Sequence, residues 1–279
     1  MNSRVGGVIV ALVMLQAWGV MLTMTLLPFV QEPAPALGGV AWASLAGLIG
    51  VSGLACMFLA LSRSAMGVVS PLVAVMGAAI PALVGIVSGD PVSLALASGF
   101  VAALVAIVLI SLPEGADGRP VTSSIERTRP VDWLLILGAG LGASGFFIAT
   151  DQAHEHGLGT VTTLVSVRLT SGALVGAAFV VIWLRSLRSS RRRPIRITRV
   201  ALGLGALGAV FDTFGTIAYL EATALGTLSV TVVLSSFYPV STALLARVIL
   251  RERLSRLRLA GVGLAVVGAA LIGLAAIGG

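Results

Sequence analysis

The sequence predicts an all-α, polytopic membrane protein, and three observations carry that reading. Of 279 residues, 57% are hydrophobic and only 10% are charged, against roughly 25% charged in an average soluble domain. The mean hydropathy is +1.07. The apolar residues are gathered into runs of about 20 or more, the length a helix needs to cross a bilayer. So few charges cannot coat a water-soluble surface, which excludes a soluble globular enzyme. The apolar content excludes collagen and disordered chains, and a single cysteine excludes a disulfide scaffold. That cysteine, Cys56, lies inside an apolar run and reads as a small core residue.

Nine runs are candidate spanning helices: 5–30, 37–61, 65–87, 91–112, 132–152, 159–185, 199–221, 227–249 and 257–277. The first exceeds a signal peptide in length, contains Gln16 and Trp18, and lacks a small-residue cleavage site, so it is expected to remain as a helix. Most connections are short. Residues 113–131, PEGADGRPVTSSIERTRPV, are polar with three prolines and read as a linker between two halves, 1–112 and 132–279. Residues 185–199 form a basic loop.

All 18 basic residues are arginine, and the formal charge is +7. In a soluble protein such a balance would point to nucleic acid. Here the arginines sit in loops between apolar runs, where they set orientation, so no nucleic-acid partner is expected. With the N-terminus inside and nine helices threaded, Arg4, Arg63, Arg119, Arg127, Arg129, the arginines of 185–199, and Arg247, Arg251, Arg253, Arg256 and Arg258 all fall inside. Only Arg168 is left near the other face, where Glu32, Asp90, Asp151 and Glu155 lie. The positive-inside rule therefore predicts a cytoplasmic N-terminus, an external C-terminus and a multi-pass protein of the cytoplasmic membrane.

The two halves repeat. Asp90 and Glu252, Gly99 and Gly261, Ala103 and Ala265, Val105 and Val267, Leu109 and Leu271, and Ile110 and Ile272 all match at one common offset. Arg4 and Arg168 match at nearly the same offset. An odd helix between the repeats makes matching helices cross in opposite directions, an inverted repeat.

The stretch SSFYPVSTALLARVILRERLSRLRLAGVGLAVVGAALIG, residues 235–273, resembles the last two helices of the EamA family of the drug/metabolite transporter superfamily. The mid-helix proline, the Glu-Arg-Leu turn and the Gly-rich final helix carry the resemblance. A weaker copy lies in the first half, with Asp90 where the family usually has Glu. The resemblance implies two inverted EamA-type repeats, alternating access, and a small metabolite or drug as substrate, with proton coupling a candidate drive. It also implies five helices per repeat. Because Arg4 aligns with Arg168, which opens the second helix of the second repeat, the first helix of the first repeat is expected to be missing. The alternative is a non-transporting membrane protein, an interaction subunit or a degenerate relative lacking that helix.

An ionised carboxylate at mid-membrane costs a few kcal/mol, about 2.5–3.5 on insertion scales. Asp212 lies near the middle of the seventh run, in GAVFDTFGTIAYLE, so it should face a cavity or a partner. It is the first candidate for substrate or proton binding, with Tyr219 on the same face. Glu221, near the outer end of that helix, reads as a solvated residue. Arg168 is expected to pair with Asp151 or Glu155, or to bind a substrate carboxylate. Gln16 and Trp18 offer an amide and an aromatic wall. Pro81 and Pro239 interrupt corresponding helices, and such paired breaks tend to flank a central site. Ser235, Ser236 and Tyr238 add hydroxyls beside Pro239. Packing alone is the competing explanation for each.

The cluster Asp151, His154, Glu155 and His156 reads as a short polar loop rather than a metal site, since no thiol or second His-rich segment completes it. GLGALG follows no strand, so its glycines serve close helix packing and not a nucleotide. No Ser/His/Asp set or phosphate loop occurs, so neither enzyme chemistry nor a cofactor is expected. The expected partners are the lipid bilayer, a small-molecule substrate and, as a candidate, a second copy of the chain.

Overall fold

A computed structural model describes residues 3–63, 66–111, 130–187, 199–237, 240 and 255–278. Among these residues there is no strand, and nine α-helices follow one another: α1 Ser3–Leu26, α2 Leu37–Arg63, α3 Met66–Ser88, α4 Leu94–Ser111, α5 Pro130–Glu155, α6 Thr160–Leu187, α7 Arg199–Leu225, α8 Leu228–Ser235 and α9 Arg256–Gly278. Five stretches are long and apolar enough to cross a membrane: Val10–Phe29, Leu37–Arg63, Pro130–Glu155, Thr160–Leu184 and Arg256–Ala275. Leu72–Ser88 and Leu94–Ile110 are shorter apolar helices. The chain is therefore an all-α polytopic membrane protein, as its composition predicts. Eight of the nine runs are matched by helices of similar extent. The eighth is described as a helix only over Leu228–Ser235, with a turn at 236–237. Pro239 and Tyr238 lie outside the described residues, as do most of the basic loop and residues 113–129 of the expected linker 113–131, whose last two residues instead open α5.

Helix ends follow local chemistry. After α1, a 3-10 turn at Leu27–Phe29 carries Pro28 in its first turn, and the chain then runs through an extended segment holding Pro33 and Pro35. Prolines there provide no N–H to continue a helix. α3 and α5 close on glycines in the left-handed region, Gly89 (φ 116°) and Gly157 (φ 76°). Past each glycine the next amide turns back to the helix: Asp90 N–H to the Gly85 carbonyl at 3.0 Å, and Leu158 N–H to the Ala153 carbonyl at 3.1 Å. α4 and α9 open on serine caps, with Leu96 N–H donating to Ser93 Oγ at 3.1 Å and Arg258 N–H to Ser255 Oγ at 3.2 Å. Those two serines stand at the repeat offset.

The chain divides into two compact units, and each draws on both sequence halves. The first comprises Met1–Leu59 and Ile148–Leu225, and the second Ala60–Phe147 and Gly226–Gly279. In the first unit α1 packs against α6 and α7. Leu12, Val51 and Val175 form one of its apolar clusters, from α1, α2 and α6.

In the second unit α4 and α9 lie antiparallel along one another, and α3 packs on α4 and α8. The α4–α9 crossing is self-complementary. A Cβ at Gly99 would stand 2.8 Å from Ile272 Cγ1, and a Cβ at Gly261 would stand 2.8 Å from Ile110 Cγ1. The two glycines are one of the position pairs matched between the sequence halves, and the two isoleucines are another. Each isoleucine is buried, at 0% and 4% exposure, in the space the opposite glycine leaves. This is the close backbone approach that small residues permit in membranes. Pro81 is buried inside α3, which continues through it. Its ring leaves the Gly77 carbonyl without a helical donor. One residue earlier, the Met76 carbonyl receives Ser144 Oγ from α5 at 3.0 Å.

Candidate functional site

Three of the predicted site residues come together in the first unit. Gln16 stands near the middle of α1, Asp212 at the middle of the 27-residue α7, and Arg168 two turns inside α6, about 12 Å from its start at 1.5 Å per residue. All three therefore lie at membrane depth, on helices that pack together. Arg168 Nη2 donates to Asp212 Oδ2 in an ion pair, and Nη1 donates to Gln16 Oε1 at a long 3.4 Å. The side chain of Arg168 is 7% exposed and that of Asp212 is 42% exposed. Gln16 is buried.

This corrects the expected pairing of Arg168 with Asp151 or Glu155. Those acids belong to the last turn of α5, whereas Arg168 sits well inside α6, level with the middle of α7. A buried cation at that depth needs a counter-charge, and Asp212 supplies it.

The pocket for the guanidinium is made by the absence of a side chain. A Cβ at Gly19, one turn after Gln16, would stand 3.2 Å from both Cζ and Nε of Arg168. The α1 backbone thus walls one side of the cation, and Gly19 itself is held by Thr23 Oγ1 donating to its carbonyl at 2.8 Å. Arg168 Nε has no acceptor among the described residues. On the side of Asp212 the surroundings are open. Gly208 and Gly215, one turn before and after it, have nothing within 4 Å of a Cβ position.

Tyr219 is buried in α7 and bonds through its side chain to Thr150 of α5, so its hydroxyl engages a helix neighbour. Trp18 is half-buried, with Cδ1 3.8 Å from a Cβ position at Gly205 on α7. Glu221 is exposed. Ser235 and Ser236 belong to the second unit. Ser235 is exposed, and Ser236 is buried with Oγ donating to the Val232 carbonyl of its own helix at 2.8 Å.

The α5 terminus is organised by its own backbone. His154 Nδ1 lies 2.9 Å from the Leu158 carbonyl, His156 Nδ1 lies 2.8 Å from the Gln152 carbonyl, and Gln152 Nε2 donates to Glu155 Oε2 at 2.5 Å. Among the described residues no three His, Cys, Asp or Glu side chains come together as a metal-binding group.

Two carboxylates have roles that the sequence reading did not assign. Glu32, in the extended segment after α1, caps the start of α6. It accepts Val161 N–H at 2.7 Å, Thr162 N–H at 2.9 Å and the Thr162 hydroxyl. Asp90, after α3, caps the start of α8, accepting Ser229 N–H at 3.0 Å and Ser229 Oγ at 2.5 Å. A glycine makes room each time, since a Cβ at Gly159 would collide with the Glu32 carboxyl and one at Gly85 with Asp90 Oδ2. No local signal could reveal either cap, because donor and acceptor lie more than a hundred residues apart in the chain.

An enclosed arginine paired with an aspartate and joined by Gln16, drawn from three apolar helices of an all-α polytopic chain, defines an integral membrane protein with a charged centre among its helices. The model of the EamA-like transporter family matches residues 132–274. The match covers half of the chain, and the protein belongs to that family, whose members are membrane transporters of the drug/metabolite superfamily rather than enzymes. A crystal structure of another protein superposes with a TM-score of 0.66 at 21% identity, covering 99% of this chain and 92% of that one. At that identity the likeness concerns the fold. No curated protein matches the chain.

Proposed function

We propose that this chain moves a small metabolite or drug across the cytoplasmic membrane by alternating access between two inverted repeats, 1–112 and 132–279, with Asp212 as its proton-coupling group. The observation that carries the reading is the Gln16–Arg168–Asp212 network. Ionisable residues within spanning helices are costly, and where they occur they mark substrate and ion paths. This pair is asymmetric in a way that suits a switch: the cation is enclosed, while its counter-ion is half-exposed and flanked by glycines. The repeat supports alternating access through the matched crossing of α4 and α9, whose Gly–Ile contacts exchange under the repeat offset.

The test is uptake into vesicles, screened over a library of small metabolites, with expression and insertion measured in parallel. Asp212→Asn is expected to abolish or uncouple transport while the protein still inserts. Glu221→Gln is expected to have a milder effect, since Glu221 stands exposed near a helix end. Uptake with unchanged rate and pH dependence in Asp212→Asn would leave Asp212 as a packing residue. A chain that inserts and moves nothing would favour a non-transporting membrane protein.

A further inference from the structure

We infer that the Arg168 guanidinium is a binding site for a monovalent organic anion, a carboxylate above all, and that Asp212 is the counter-ion the anion replaces, so that one proton travels with each anion. The inference rests on the transporter reading and assigns its substrate class.

A guanidinium carries five N–H groups in a planar fork. In Arg168, Nη2 meets Asp212 Oδ2, Nη1 meets Gln16 Oε1 only at 3.4 Å, and Nε meets no acceptor among the described residues. A cation that is nine-tenths enclosed is thus under-coordinated, and a two-oxygen anion is the ligand its fork fits. Access is one-sided. The α1 backbone at Gly19 stands against Cζ and Nε, so an anion reaches the fork only from the Asp212 side. There the side chain is 42% exposed, and Gly208 and Gly215 leave open space beside it.

Charge then fixes the stoichiometry. With Asp212 ionised, the pair is neutral and empty. An anion entering that state would leave one uncompensated negative charge at membrane depth, which the bilayer penalises. If Asp212 first takes a proton from water on the side of entry, its hold on Nη2 weakens, the anion takes over Arg168, and the loaded site is neutral again. On the far side the anion leaves, the Asp212 proton is released to water, and the original ion pair re-forms. Both forms that cross are neutral. The groups that could compete are few. From Val10 to Leu26 α1 carries no titratable side chain, α6 offers Arg168 alone at this depth, and α7 itself adds Tyr219, bonded to Thr150 and close to Asp151 of α5, and Glu221 toward its end.

The experiment measures thermal unfolding of the purified full-length protein in detergent, at constant ionic strength, with chloride exchanged for acetate or methanesulfonate. Asp212→Asn leaves Arg168 without its counter-ion. At pH 7.5 a saturating carboxylate is expected to raise its midpoint by about 3 °C over chloride, and to leave the wild type unmoved. The double variant Arg168→Gln/Asp212→Asn is expected to show no shift. Should Asp212→Asn fail to fold, the wild type answers alone. Methanesulfonate, which stays anionic at low pH, should stabilise it over chloride at the lowest pH at which it stays folded, and not at pH 7.5. The same shift in the double variant, or no anion dependence in Asp212→Asn and in the acidified wild type, overturns the proposal. Uptake separates this from the transporter reading. A chain that carries a cationic or neutral compound, with Arg168→Gln still active, keeps its transport function and removes the anion site.

Discussion

At the scale of single residues, the molecule shows how a carboxylate is made tolerable among apolar helices. Asp212 is bound to Arg168, and Arg168 is admitted because position 19 is glycine. The sequence made Asp212 legible, since an acid in the middle of an apolar run has few explanations. It also flagged Arg168 and Gln16 separately. It could not join them, because pairing depends on which face of α6 meets α1 and α7, and chain distance carries no trace of that. The caps at Glu32 and Asp90 were illegible for the same reason. Their worth is measurable. Glu32 satisfies two amides of the first turn of α6 that have no helical partner. Its replacement by alanine is expected to lower stability by about 1–2 kcal/mol. Asp90→Ala is expected to cost about 1 kcal/mol, since it caps one amide and one hydroxyl of the short α8. Thermal or denaturant unfolding in detergent checks both, and a change within error for Glu32→Ala would remove it as a structural cap.

At the scale of elements, the sequence read helices well because each span is a long apolar run bounded by polar, Pro or Gly residues. It also led us to match α4 with α9 position by position. What the structure adds is that these helices touch, and that the matched glycines and isoleucines are the contact. Gly99→Ala would press a methyl against Ile272 Cγ1 and, at 3.1 Å, against the Gly268 carbonyl and the Ile272 amide nitrogen. Gly261→Ala would press one against Ile110 Cγ1 and, at 3.2 Å, against the Ile110 amide nitrogen. Backbone atoms cannot step aside, so each substitution is expected to cost about 1–3 kcal/mol, the two within about 1 kcal/mol of each other. Gly263→Ala on the same helix faces open space. It is expected to be neutral or slightly stabilising, by up to about 1 kcal/mol from helix propensity. Unfolding measurements on the three variants check the ranking, and a Gly99→Ala protein as stable as Gly263→Ala would refute the tight crossing.

At the scale of the whole molecule, the account joins a family, an orientation and a mechanism. The membrane class was legible from hydropathy alone, and the family from the second half, which is also where the EamA-like transporter family model matches. The orientation rests on arginines and is directly testable. In a Cys56→Ser background, Ser190→Cys and Gly279→Cys should label with an impermeant reagent from opposite sides of the membrane, the first from within. Labelling of both from outside would contradict nine threaded helices with arginines inside. The central claim is that the Arg168–Asp212 pair couples a proton to the substrate. The most direct measurement is substrate uptake into vesicles, with and without an imposed pH gradient, in the wild type and in Asp212→Asn at matched insertion. The gradient is expected to raise the steady-state accumulation of substrate in the wild type by up to about tenfold per pH unit, the full driving force of one proton, and to have no effect on what uptake the Asn variant retains. An Asn variant that responds to the gradient as the wild type does would contradict the claim.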